Sequence, residues 1–142
     1  MAFRMNKVQV WSGAIPDRPG AAAAPLEKLA RAGVDLEYVF TRPQPDDPNT
    51  SVIFLAPIEG EEQVQAAREA GLAPANDITM LCVQGDNRPG IGYQIMSRLA
   101  VAGINLRGLS VSTLEKRFVT YLAFDSADDL TLAIQLLAPL AG

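Results

Sequence analysis

The chain has 142 residues with 12 Lys and Arg against 16 Asp and Glu, and its net charge of -4 excludes the basic face of a nucleic-acid binder. With 49% hydrophobic residues it can build a core, and with no His it lacks the usual neutral-pH base, serine or cysteine triads and most zinc sites. Cys82, the only cysteine, allows no internal disulfide, Met1 to Val10 reads as no secretory signal, and no apolar run reaches the ~20 residues of a membrane span, so a cytoplasmic location is expected.

Lys7 to Ser12 alternates polar and apolar residues, which predicts a strand ending near Gly13. Leu26, Leu29, Ala30 and Val34 follow helical spacing, and Gly33 sits where a helix stops. That helix begins either at Pro19 or near Pro25, the second choice leaving Ala21 to Ala24 as an extended turn. Val34 to Thr41 reads as a strand with Leu36, Tyr38 and Phe40 on one face, and Pro43 to Asn49 as an exposed loop. Ser51 to Ala56 is a predicted strand and Glu61 to Ala70 a helix closed by Gly71. Leu72 to Asp77 is either a strand stub or a direct link onward. The remainder predicts a strand from Ile78 to Val83, a helix from Pro89 to Ala102 and a strand from Ile104 to Thr113. A hairpin around Glu115 and Lys116, a strand from Phe118 to Phe124 and a helix from Ala127 to Leu137 complete it.

The chain repeats itself. A shift of 70 residues lays Arg18-Pro19-Gly20 on Arg88-Pro89-Gly90, Leu29-Ala30 on Leu99-Ala100, Ala32-Gly33 on Ala102-Gly103 and Leu36 on Leu106. At the same spacing Thr50 meets Thr120, Phe54 meets Phe124 and Gln65 meets Gln135. The reading is a tandem duplication without a gap, in modules 1–75 and 76–142, each ordered strand, helix, strand, strand, helix. Such units are split βαβ folds of the α+β class, marginal alone at this size. The final strand of each unit looks truncated, leaving a sheet edge for which a homodimer is the expected cover.

Each copy carries an Arg-Pro-Gly turn between its first strand and first helix. Pro fixes φ, Gly lets the backbone approach a ligand, and the helix N-terminus that follows offers unpaired N–H groups to a carboxylate. The same turn could merely cap the helix. Asp17-Arg18-Pro19-Gly20 followed by Leu29-Ala30-Arg31-Ala32-Gly33-Val34-Asp35-Leu36 resembles the ACT domain, a small amino-acid-binding regulatory module. So does Asn87-Arg88-Pro89-Gly90 followed by Leu99-Ala100-Val101-Ala102-Gly103-Ile104-Asn105-Leu106, and the resemblance spans essentially the whole chain.

The resemblance implies two ferredoxin-like βαββαβ modules packed side by side, second strand to second strand, into one antiparallel sheet with helices on one face. Ligands in that family sit where the turn of one module faces the second strand of its neighbour. The implied ligand-binding residues are therefore Asp17, Arg18, Gly20, Ala21, Asp35, Leu36, Asn87, Arg88, Gly90, Ile91, Gly92, Asn105 and Leu106. The second copy is similar to the serine-binding module of phosphoglycerate dehydrogenase, with Asn87 and Asn105 in the ligand positions but Gly85 where that module has a His. The first copy is closer to aspartokinase regulatory modules, with Asp17 and Asp35 in those places.

Cys82 and Trp11 read as buried residues of strands, and Asp46, Asp47 and Asn49 lack the spacing and closing Glu of a calcium loop. Glu59, Glu61 and Glu62 suit a helix N-terminus. Arg18 and Arg88 either grip a ligand carboxylate or stand exposed or salt-bridged. No catalytic constellation, metal or cofactor is called for, so no enzyme is expected. The leading function is an allosteric, stand-alone sensor that binds a small amino acid between its modules and signals to a regulated enzyme, as a homodimer without nucleic-acid or membrane partners. The alternative is an assembly subunit that keeps the fold without a ligand.

Overall fold

The computed structural model describes residues 3–141. In chain order its elements are β1 (Arg4–Val8), β2 (Trp11–Pro16), α1 (Ala23–Arg31), β3 (Tyr38–Gln44), β4 (Asp47–Ala56), α2 (Glu61–Glu69) and β5 (Ala73–Pro74). Then come β6 (Thr79–Asp86), α3 (Ile91–Val101), β7 (Leu106–Leu114), β8 (Arg117–Phe124), α4 (Ala127–Leu137) and a closing 3-10 turn, Ala138–Ala141. Among the described residues the strands form two antiparallel four-stranded sheets, ordered β3-β4-β2-β5 and β1-β6-β8-β7, where a single sheet had been expected. No described helix is long and apolar enough to cross a membrane.

The chain divides into two compact units, Gln9–Asn76 and a second made of Met1–Val8 with Asp77–Gly142. This differs from the expected boundaries of 1–75 and 76–142 for a definite reason. The stretch read as one strand, Lys7 to Ser12, is two strands that break at Gln9 and Val10 and join different sheets. β1 pairs with β6 from Arg4↔Gln84 to Val8↔Met80 and takes the edge place that β5 takes in the other sheet. The edge expected to lie open is thus paired along β6, and along β2 only at Trp11 and Ser12.

In the unit Gln9–Asn76 the alternation of each strand puts Trp11 and Ile15 of β2 on the face shared by Ile53 and Leu55 of β4. That face packs on Leu29 of α1 and Ala67 of α2. In the other unit Leu81, Val83, Phe118, Leu122 and Phe124 face Ile95 and Leu99 of α3 and Leu130, Ala133 and Leu137 of α4. Cys82 is buried, and Trp11 lies in the core with the Arg68 guanidinium 5.7 Å from its ring centre.

Helix α4 matches its prediction residue for residue, because Ser126 accepts the Asp129 N–H and fixes the start. α1 begins at Ala23, so Pro25 falls in the first turn, where its missing N–H has no partner to lose. Leu36, predicted in a strand, precedes β3 and packs against the core from outside the ladder.

The repeat is not gapless. Trp11 and Leu81 lie 70 residues apart, but their ladder partners Leu55 and Leu122 lie 67 apart, and the N-caps Gly60 and Ser126 lie 66 apart. Thr50 and Thr120, Phe54 and Phe124, and Gln65 and Gln135 are therefore coincidences rather than counterparts. The first copy absorbs its extra residues at a bulge, where Pro43 faces Ser51 while the next residue, Gln44, faces Asp47. The predicted loop Pro43 to Asn49 is mostly strand, with only Pro45 and Asp46 left to turn.

At the head of β4 the Asp47 carboxylate accepts the Asn49 N–H at 3.0 Å and the Thr50 hydroxyl at 2.7 Å. The Thr50 bond first, then the Asn49 N–H, holds this carboxyl below the ordinary aspartate range. A lowered folded value gives stability that is present above the unfolded-state value of about 3.9 and is lost as pH falls through the folded one. Thr50→Val should raise the Asp47 midpoint toward ordinary in a carboxyl-detected NMR titration; an unmoved midpoint would refute the bond. Leu122, fully buried, should cost about 2–5 kcal/mol when cut to Ala. Val101, 87% exposed, should change urea stability by less than about 0.5 kcal/mol under the same cut.

Candidate functional site

The two Arg-Pro-Gly turns occupy equivalent places. One leaves the end of β2 and the other the end of β6, and each is pinned by the residue two before Pro: the Asp17 N–H donates to the Asn49 carbonyl at 2.9 Å, and the Asn87 N–H to the Lys116 carbonyl at 2.8 Å. Gly20 and Gly90 then adopt left-handed backbone at φ 82° and 85°, where a side chain would be strained. Asp17, Arg18, Gly20, Asn87, Arg88 and Gly90 are exposed, Ala21 and Gly92 half-buried, and Ile91 is buried in the core as the first residue of α3.

The four helix starts are not alike. α4 has its Ser126 cap and Asp128 and Asp129 in its first turn, and α2 has Glu61 and Glu62, as its sequence predicted. α1 and α3, which follow the two turns, have neither a side-chain cap nor an acidic residue in the first turn. Their positive ends stay uncompensated, which is the electrostatic condition for holding an anion. They differ in quality: α3 starts directly after Gly90, whereas α1 starts three residues after Gly20 and places Pro25 in its first turn. The second turn presents the fuller set of N–H groups.

Arg88 has a structural tie. Its Nη2 donates to the Leu140 carbonyl at 2.8 Å and to Gln94 Oε1 at 3.1 Å, so it braces the turn against the 3-10 segment after α4 and the first helical turns of α3. Nothing in the sequence around Arg88 pointed to a partner 52 residues on. Asp86, just before the turn, pairs with Arg117 at 2.9 Å.

The second part of each signature lies elsewhere. Asp35 is exposed just before β3, and Asn105 just before β7 donates to Asp125 Oδ2 at 3.5 Å, with Leu106 half-buried behind it. The ladders set Val39 level with Trp11, and Thr50 level with Pro16. Asp35 and Leu36 therefore flank the start of β2, while the turn leaves its far end, about 16 Å away for six residues of strand. The same holds in the other unit, where Leu106 and Thr79 share Phe124 as partner and the turn follows Asp86. Neither unit brings its own turn and the start of its second strand together.

The position given to a His by resemblance cannot hold one here. A Cβ on Gly85 would lie 2.8 Å from Phe3 Cδ1 and 2.9 Å from Phe118 Cε1, so the absent side chain makes room for two rings. A groove of about 440 Å³ between α1 and α2 is lined by Lys28, Arg31, Glu62, Gln65 and Glu69, and none of the candidate residues reaches it.

No protein-family profile matches the sequence, and no curated protein does. Solved structures do match the fold. A protein from Bacteroides thetaiotaomicron, BT0572, aligns over 97% of this chain and 90% of its own at a TM-score of 0.75 with 11% identity. The regulatory subunit of aspartate kinase from Thermus thermophilus, in a ligand-free form, aligns over 99% and 97% at 0.66 with 18% identity. The corresponding subunit from Thermus flavus aligns over 96% and 97% at 0.56 with 19% identity. With two ferredoxin-like units and this likeness along nearly its full length, the chain has the tandem ACT fold.

Proposed function

We propose that this is a regulatory protein that binds a small amino acid at its Arg-Pro-Gly turns and passes the bound state to an enzyme partner. The observation that carries the reading is the contrast among helix starts: only α1 and α3, behind the two turns, lack both a side-chain cap and a first-turn carboxylate. The ligand carboxylate takes the N–H groups of Gly90 and Gly92, the Ile91 N–H being engaged by the Arg88 carbonyl at 3.2 Å, and the ammonium takes an acceptor from Asp17, Asp35, Asn87 or Asn105. Each unit keeps its own turn and the start of its second strand at opposite ends of its sheet. A ligand held at the turns favours the conformation that binds it, the differential affinity that allosteric control requires. The role is regulatory rather than catalytic and cytoplasmic, and the aspartate kinase subunits of the same fold support an enzyme as the partner.

A homodimer is supported by the edge strand β7, exposed from Arg107 to Leu114, with Leu109 and Val111 standing out of the ladder. The same exposed edge favours the alternative, an assembly subunit without a ligand.

A thermal-shift panel of the twenty amino acids separates the two. A sensor is stabilised by one or a few of them, by about 2.7 kcal/mol at 100 times the dissociation constant; an assembly subunit by none. In calorimetry Asn105→Ala and Asp35→Ala should each weaken binding by roughly one to two orders of magnitude with the fold intact. Unaltered affinity in both variants would remove the second strands from the site.

A further inference from the structure

Among the described residues, β1 and the preceding Phe3 are held to their unit by one ladder, with β6, and by two side chains packed in the core, Phe3 and Met5. From Val8 the chain leaves for residues 9–76 and returns only at Asp77. Among the described residues, backbone pairing with β6 reaches Arg4↔Gln84, and past that rung the Phe3 ring, 8% exposed, sits edge-on to Phe118 with centres 5.4 Å apart, in the space left by Gly85.

The rungs that follow lead straight into the second turn. Gly85 faces Phe118, Asp86 faces and ion-pairs with Arg117, and the Asn87 N–H bonds to the Lys116 carbonyl. Phe3 therefore packs on the rung from which the turn is hung. The first copy provides an internal comparison. Its edge strand β5 pairs only with Trp11 and Ser12, at the end of β2 remote from its turn, and Ile15 stands where the second copy has Gly85.

We propose that β1 is a detachable latch on the turn Asp86–Gly92. Docked, it clamps the rung Gly85–Phe118 and holds the turn in one conformation; released, it frees the turn while the β6–β8 ladder and its helices stay folded. A short strand secured by one ladder and two side chains opens below the cost of global unfolding, and so supplies a two-state element adjoining the candidate site. The turn Asp17–Gly20 has no such latch. The latch is independent of what the turn binds.

Native-state hydrogen exchange on the full chain, without ligand, tests this. In the wild type, amides of β1 should exchange at least about tenfold faster than those of β8, as expected for sub-global opening. Phe3→Ala should speed exchange in β1 and in Asp86–Gly92 by a further tenfold or so, leaving β8, the β2–β4 ladder and the turn Asp17–Gly20 unchanged. Phe3→Leu should restore most of the protection. Exchange that rises uniformly across the unit in Phe3→Ala, or rises in β1 while the turn keeps its protection, would overturn the latch.

Discussion

The free edge of the first strand in a four-stranded sheet is the constraint on which this structure turns. Leu81 and Val83 of β6 are fully buried, and a bare edge beside them would leave backbone N–H and C=O groups unpaired next to a core. The first copy meets the need locally, with β5 two residues long. Among the described residues the second copy shows no strand after α4, the chain passing into the 3-10 turn Ala138–Ala141. Its edge is met by β1, which precedes the whole of the other unit in sequence. The insertion of one unit within the other follows from that single pairing.

Much of this was legible. Strong local signals survived: Gly33, Gly71 and Gly103 end helices at φ 76°, 84° and 74°, and Ser126 starts one. The hairpin at Glu115 closes as predicted, with Glu115 itself at φ 56°. What failed had no local signal. The alternation of Lys7 to Ser12 runs through the break at Gln9 and Val10, since period-2 patterning records which face a residue occupies and not which sheet it joins. The bulge after Pro43 was hidden because chance identities beyond it, such as Phe54 with Phe124, fit the wrong spacing.

The turns were legible in their backbone and less so in their supports. The turns and their glycines stand where the sequence put them, while α3 starts at Ile91 rather than Pro89 and α1 at Ala23, between its two expected starts. Arg88, read as a candidate grip or a solvent-exposed side chain, is a brace to the Leu140 carbonyl, a contact between residues far apart in sequence. Gly85, a departure from the pattern when read alone, is required by two aromatic rings. Conformational preference marks a turn from a few neighbours, whereas the packing that holds it comes from elsewhere in the chain.

The proposed function rests on the uncapped starts of α1 and α3 receiving an amino-acid carboxylate, α3 offering more N–H groups than α1. Backbone amide NMR of the full chain, titrated with the twenty amino acids in turn, reads those groups directly. The account predicts that an amino acid which binds shifts the amides of Asn87 to Tyr93 most, with smaller changes at Asp17 to Ala24. Shifts centred on Lys28, Arg31 and Glu62 instead, or an unmoved α3 start with every amino acid, would contradict it.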